Sequence, residues 1–303
     1  MTIRLGTRGS KLALTQGNWV AERLDGEVEL VTVRTSGDER CGGPVELSDK
    51  ARFVKELEDA LLAGEIDVAV HSAKDVPGEL PDGLAIVGVP ERADAGDALC
   101  GAGGLDVLNE NAVVGTASLR RRAELLALRP DLRIAELRGN VDTRLRSLDE
   151  GGYDAIVLAM AGLERLGLAD RGVRLPELVP AAGQGCLALE ARQDDKPIAE
   201  AAAAITDRRA LTRLTAERAL VTALGASCHT PVGAHAELGD EERGPLRLTA
   251  FVGLPDGSHW IRDELDGNPT DPAGLGAGVA ERLLAVGAAA LLAEAEASAQ
   301  GAK

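Results

Sequence analysis

Short apolar runs alternating with helical stretches constrain this chain more than any other feature. Runs bounded by turn residues fall at Ile3–Thr7, Val28–Thr35, Asp67–Ser72, Leu84–Val89, Ala112–Thr116, Ile134–Leu137, Asp154–Ala159, Leu187–Ala191 and Leu246–Gly253, and they read as strands. Helical patterns lie between many of them. Lys11–Leu24 places Leu12, Trp19, Val20 and Leu24 on one broad face. Phe53–Ala63 does the same with Phe53, Val54, Leu57 and Leu61, and ends at Gly64, which suits the position after a helix. Leu119–Leu128 follows Ser118, a capping residue type, and stops before Pro130. Thr212–Leu224 and Leu275–Ala297 read as late helices. Strands alternating with helices predict an α/β architecture, and 303 residues suffice for two or three domains.

Three stretches break the alternation. Ser36–Arg52 is polar, contains Gly42-Gly43-Pro44 and lacks a period, so it reads as a mobile loop. Glu91–Gly104 is rich in Gly, Ala and Asp and reads as a hinge between domains. Ala234–Arg262 is a charged, hairpin-like stretch with turns at Gly239-Asp240 and Pro255-Asp256-Gly257. With the Ala-rich helix that follows, it predicts a small α+β module.

Composition removes several function classes. The sequence has 49 acidic against 33 basic residues, a net charge of −16, and only five aromatic rings. A non-specific nucleic-acid binder needs a basic surface, and single-strand binders need aromatic platforms, so no nucleic-acid partner is expected. No apolar run of 18 residues predicts a membrane span. The start, Met-Thr-Ile-Arg-Leu-Gly, shows no apolar signal segment, and a cytoplasmic location is expected. The four cysteines, Cys41, Cys100, Cys186 and Cys228, are widely spaced and fit neither a metal site nor a disulfide framework.

Positive charge nevertheless gathers locally. Thr116–Arg146 holds eight arginines against four acids, whereas Ala234–Lys303 holds 12 acids against five bases. Gly115-Thr116-Ala117-Ser118-Leu119-Arg120-Arg121 reads as strand end, turn and helix start, and Leu137-Arg138-Gly139-Asn140-Val141-Asp142-Thr143-Arg144 has the same form. Strand ends and first helical turns form the binding crevice of open α/β sheets, where N–H groups and guanidiniums suit an anion. With Thr7-Arg8-Gly9-Ser10 these elbows predict a cleft for a multiply anionic ligand. Arg122, Arg129 and Arg133 read instead as solvated. Val70-His71-Ser72-Ala73-Lys74-Asp75-Val76-Pro77 delivers a cation beside an acid at a strand end. Spacing alone leaves open whether Asp75 holds a cation or the segment is an ordinary turn; His71 reads as structural. By its residues alone, Cys228 in Gly225–Gly233 reads as an inert loop thiol.

Nine stretches in unbroken order together resemble the porphobilinogen deaminase (hydroxymethylbilane synthase) family. They are Leu5–Leu14, Phe53–Glu58, Asp67–Pro77, Val114–Arg121, Leu137–Leu145, Ala159–Gly167, Pro180–Gly185, Thr215–Ala219 and Cys228–Ala234. The resemblance implies a transferase that joins four porphobilinogen units head to tail on a covalent dipyrromethane cofactor, releasing ammonia at each condensation and freeing the tetrapyrrole by hydrolysis. It implies a thioether from Cys228 to that primer and a catalytic Asp75 that stabilises the cationic azafulvene. Lys74, Thr116, Ser118, Arg120, Arg121, Arg138, Gly139 and Gln184 would also hold the cofactor. Arg8, Ser10, Lys50, Phe53, Arg144 and Arg165 would hold substrate.

The implied fold is two periplasmic-binding-protein-like (type II) α/β domains plus a small C-terminal α+β domain. The expected ranges are 1–91 with 184–205, 95–180, and 208–303, and a monomer is expected. Two positions depart from the family pattern: the segment Leu47–Arg52 is poor in glycine, and Ser227 stands where glycine is common. A non-catalytic two-lobed anion-binding protein is the alternative, and the missing signal segment counts against it. A transferase acting on a phosphorylated substrate would leave the Cys228 loop without a purpose, and the sequence has no GxxxxGK[ST] motif.

Overall fold

The computed structural model describes residues 2–33, 49–226, 230–239 and 244–301, with side chains at 49–53 and 299–301 outside the description. Residues 36–48 of the loop expected over Ser36–Arg52, and Cys228, expected to carry the primer, lie outside the described residues, as do the side chains of Lys50 and Phe53. The protein divides into two compact units, Met1–Ala93 with Gly185–Leu211, and Asp94–Gln184 with Thr212–Lys303.

The first unit begins with β1 (Thr2–Arg8), α1 (Lys11–Ala21), β2 (Glu27–Val33), α2 (Asp49–Leu62), β3 (Val68–Ser72), a 3-10 turn at Ala73–Asp75, and β4 (Leu84–Gly88). The second follows with β5 (Asp97–Cys100), β6 (Val113–Gly115), α3 (Leu119–Leu128), β7 (Arg133–Ala135), α4 (Val141–Asp149), β8 (Ala155–Ala159), α5 (Met160–Arg165) and β9 (Val173–Leu175). The backbone then returns to the first unit with β10 (Leu187–Arg192) and α6 (Lys196–Ala204), and continues through α7 (Arg208–Ala223). Last come β11 (Val232–Leu238), β12 (Leu246–Gly253), β13 (Trp260–Gly267), α8 (Pro272–Ala285) and α9 (Ala288–Gly301).

The first sheet runs β2-β1-β3-β10-β4, and β10 lies antiparallel to both its neighbours while β1 is parallel to β2 and β3. The second runs β7-β6-β8-β5-β9 on the same plan, with β5 as the antiparallel strand. This shared order meets the expectation of two type II periplasmic-binding-protein-like α/β folds. Strands covered on both faces must be apolar throughout, which explains the uninterrupted runs at Val68–Val70 and Ala155–Leu158. The third sheet, β11-β12-β13, is an antiparallel meander, which buries one face against α8 and α9 around Leu248, Val279 and Leu283. This is the small α+β part that the last third predicted.

Four expectations are corrected. Glu91–Gly104 is not wholly a hinge: Asp97–Cys100 is a fully buried strand inside the second sheet, too short and too small-residued to stand out. The stretch expected to be loop through Arg52 is helical at its end, since α2 starts at Asp49. Leu275–Ala297 is two helices, since Gly287 adopts φ +102° and stops the first. Arg129 is not merely solvated: it donates to the carbonyls of Leu105 and Leu108 and pairs with Asp131 at 2.7 Å. Short α4, whose start the second elbow predicted, buries only Leu145.

Among the described residues no single helix is long and apolar enough to cross a membrane. The bent pair α8–α9 meets that length only when its two arms, 80° apart, are joined. The α7–α8 contact depends on Gly276, where any Cβ would overlap the carbonyl of Ala216 and crowd Ala219 and Leu220. Gly276→Val should therefore lower stability by about 1–3 kcal/mol, read as an earlier denaturant midpoint. An unchanged midpoint would show that the two helices are not held so closely.

Candidate active site

In the first unit the candidate residues gather at the carboxyl ends of β1 and β3. Arg8 closes β1, and Ser10 caps α1 by accepting from Ala13 N at 3.3 Å. Thr7 is buried and donates to the Ala13 carbonyl at 3.0 Å, which fixes the bend between strand and helix. The Gln16 Nε2 donates to Ser72 Oγ at 3.1 Å and so ties α1 to the end of β3. Lys74 and Asp75 then stand side by side in the 3-10 turn, both half-buried. That turn is pinned by Ala73 N to Cys186 O at 3.0 Å and by Val76 N to Ala73 O at 3.2 Å.

In the second unit two elbows hold the candidates. At the first, Ser118 caps α3 by accepting from Arg121 N, and Thr116, itself buried, accepts from Ser118 N at 3.2 Å. Arg120 and Arg121 do not project from this elbow. Both guanidiniums turn inward onto Asp97, which opens β5 and has no exposed surface.

Asp97 Oδ2 lies 2.7 Å from Arg120 Nη1, and Asp97 Oδ1 accepts from Arg121 Nε at 2.9 Å and from the Gln184 amide at 2.9 Å. Arg120 also donates to Glu124 at 2.8 Å and to the Val179 carbonyl at 2.8 Å, and Arg121 donates to the Val157 carbonyl at 2.8 Å. Gln184 adds a bond to the Ala95 carbonyl at 2.7 Å. Burial alone would raise the Asp97 carboxyl, but the two guanidiniums and their hydrogen bonds hold it well below the usual carboxylate range. Burial pushes Glu124 up to about 7 against the pull of Arg120, with the negative charge of Asp97 adding to the rise.

At the second elbow, Gly139 has φ +106°, a conformation that suits glycine, and its carbonyl accepts from Arg144 Nε at 2.7 Å. Asn140 occupies the cap position of α4 but its amide group makes no capping bond, which leaves first-turn N–H groups for an anion. Arg138 is half-exposed and pairs with Glu136 at 2.5 Å. Arg165 ends α5, half-buried. The described cysteines, Cys100 and Cys186, are both buried, and burial pushes the Cys100 thiol up to about 11. Neither is exposed for attachment of a group.

Sequence reasoning missed Asp97 and Glu124. The one available signal was an acid at the head of a short apolar run, set against a pair of adjacent arginines elsewhere.

These features define an α/β protein whose strand ends are lined with anion-binding donors. Two family models match the sequence: "Porphobilinogen deaminase, dipyromethane cofactor binding domain" over residues 3–200, and "Porphobilinogen deaminase, C-terminal domain" over residues 211–285. Porphobilinogen deaminase of Brevibacillus brevis is 44% identical over 302 residues, covering 96% of this chain and 96% of its own length. That of Deinococcus radiodurans is 46% identical over 305 residues, covering 96% and 98%. Among solved structures, a periplasmic substrate-binding protein of an ABC transporter from Coxiella burnetii aligns with TM-score 0.42 and 16% identity, over 69% of this chain and 94% of that one. The BvgS VFT2 domain of Bordetella pertussis aligns with TM-score 0.39 and 15% identity, over 67% and 86%. The chain belongs to the porphobilinogen deaminase family.

The donor chemistry fits a dipyrromethane. Its carboxylates call for N–H and guanidinium donors, and these stand at the uncapped α4 start with Gly139 and Arg144.

The buried charge network predicts its own test. Asp97→Asn would leave Arg120 and Arg121 short of a counter-charge in the interior and should destabilise the protein by about 3–5 kcal/mol at pH 7. Because the folded state depresses the Asp97 pKa, that stability is in place above about pH 4 and is lost as pH falls below it. Equal denaturation midpoints for the parent and Asp97→Asn at pH 7 would contradict the arrangement.

Proposed function

We propose that the protein condenses four porphobilinogen molecules head to tail onto a dipyrromethane primer held as a thioether on Cys228, and frees the linear product by hydrolysis. In this proposal it acts as a cytoplasmic monomer. At each condensation the aminomethyl C–N bond of porphobilinogen breaks, ammonia leaves, a C–C bond forms, and the attacked pyrrole gives up a proton. When bound, the primer supplies the nucleophilic pyrrole carbon and an anchor for the growing oligopyrrole.

Asp75 is assigned as the catalytic carboxylate. The observation that carries this is its position beside Lys74 in a pinned 3-10 turn at the end of the central strand β3. A carboxylate there can accept hydrogen bonds from pyrrole N–H groups and stabilise the positive charge that develops as ammonia leaves. Lys74 beside it matches an acetate or propionate on the same ring.

The remaining candidates divide by exposure. Arg138, Arg144, Arg165, Gly139 and Arg8 are the groups offered to the carboxylates that accumulate with each added pyrrole. Arg120, Arg121 and Gln184 orient α3 from inside the elbow through Asp97, and Thr116 and Ser118 shape its turn and cap. Ser10 does the same for α1. Lys50 and Phe53 stand on α2 after the polar segment and are assigned to substrate.

The intact mass of the purified protein should exceed the polypeptide mass by two pyrrole units, and Cys228→Ala should lose that increment. An active protein without the increment would refute the reading. Asp75→Asn should reduce turnover about 100-fold or more without changing the circular dichroism spectrum. Turnover near that of the parent would remove Asp75 from the mechanism.

A further inference from the structure

The first sheet hides a group of titratable side chains that the reaction proposed above does not use. Leu5, Val68, Val70, Leu187 and Leu189 face one way, toward α1 and α6. Alternation therefore turns Ala69, His71, Ala188 and Glu190 to the other face, which α2 covers with Leu57 and Leu61. His71 Nε2 lies 2.9 Å from Glu190 Oε2, with side-chain exposures of 3% and 0%. Glu58 reaches the same face from α2 and is 7% exposed. Glu58 Oε1, His71 Nε2 and both oxygens of Glu190 complete no aligned hydrogen bond among the described residues, so the 2.9 Å approach of His71 to Glu190 is a contact of polar atoms only.

Two buried carboxylates and one imidazole cannot all hold their neutral-pH charges cheaply. A proton on the Glu58 carboxyl removes one of the two buried negative charges and adds an O–H donor for the unpartnered oxygens. The position matters because His71 is followed at once by Ser72 and the turn that carries Lys74 and Asp75, and α2 packs against β3, β10 and that turn.

We propose that a protonated Glu58, buried on the face of β3 and β10 that carries the His71–Glu190 pair, holds the Lys74–Asp75 turn against α2, which makes Glu58 a positioning residue for Asp75. This rests on the reading of Asp75 given above.

The surrounding charges agree with a proton-hungry group. Burial pushes Glu58 up to about 7, the negative charges of Glu190 and Asp59 add to the rise, and Lys55 opposes it. Of the elements packed on α2, β10 also brings Arg192, which donates to the Leu61 and Ile66 carbonyls at 2.8 and 2.9 Å, β4 brings no titratable group, and the turn brings Lys74 and Asp75. β2 brings Glu27 and Glu29, and β1 brings Arg8 and Arg4, the latter paired with Asp67. A carboxyl whose folded pKa is raised contributes its full stability below its unfolded value near 4.5 and loses it as pH rises through about 7.

The test uses the full-length, primer-loaded enzyme with Glu58→Gln, which imitates the protonated acid, and Glu58→Ala. Thermal midpoints and turnover are followed from about pH 5 to 8.5, a range that brackets the titration. Between those limits the parent midpoint should fall by roughly 2–6 °C more than that of Glu58→Gln. Glu58→Ala should lose about tenfold in kcat with KM little changed, and Glu58→Gln should recover most of that loss. If Glu58→Ala does not fold, the Gln variant alone decides through its midpoints. Parallel midpoint profiles for parent and Gln variant would overturn the protonated Glu58, and equal kcat in the Ala and Gln variants would overturn the positioning role. If Asp75→Asn keeps full turnover, the reading of Asp75 fails, and the midpoint comparison still decides the protonation of Glu58 separately.

Discussion

A carboxylate with no exposed surface holds the second unit together. Asp97 meets Arg120, Arg121 and Gln184, and through them reaches Glu124, the Val157 carbonyl on β8 and the Val179 carbonyl. Glu124 closes the circuit by accepting from Val179 N at 2.6 Å. Two carboxylates face two guanidiniums, so the charges can balance without water. Such a network is costly to dehydrate, and its members must be satisfied together or not at all. Its consequence for function is orientation: the helix that starts after Ser118 is clamped by two of its first three residues to the strand next to β8.

The first unit reaches a similar end by different means. Its elbow at Arg8–Ser10 is fixed by a threonine hydroxyl and a serine cap, and its 73–75 turn is tied to the start of β10 by a backbone bond. These neutral contacts leave Arg8, Lys74 and Asp75 near the strand ends, where a pyrrole with two carboxylates and an N–H can be matched by charge and by hydrogen bonding. The net charge of −16 does not oppose this. The acids are abundant on the exposed strand and helix faces of the last third, whereas the arginines that matter are placed by strand ends.

The parts legible in the sequence are those with a strong local signal. Strand β8 is an uninterrupted apolar run, β3 is apolar over Val68–Val70, β1 alternates, and α3 shows a cap, a period and a terminating proline. The elbows were legible because strand end, small polar residue and arginine occur in series. What was not legible depended on pairing between distant segments. β5 is four residues long and reads as part of a loop until β8 and β9 flank it. Arg120 and Arg121 read as outward donors because nothing near them in sequence announces Asp97, over 20 positions earlier. His71 read as structural, and only the register of β3 on β10 brings Glu190 beside it. Family resemblance covered the residues' roles but said nothing about which guanidiniums are buried.

The central claim is that this strand-end chemistry performs deaminative condensation of porphobilinogen. The most direct measurement is the ratio of ammonia released to porphobilinogen consumed by the purified protein, taken with the product spectrum. The account predicts one ammonia for each porphobilinogen and a linear tetrapyrrole as product. Porphobilinogen bound without release of ammonia would contradict it and would leave only an anion-binding protein.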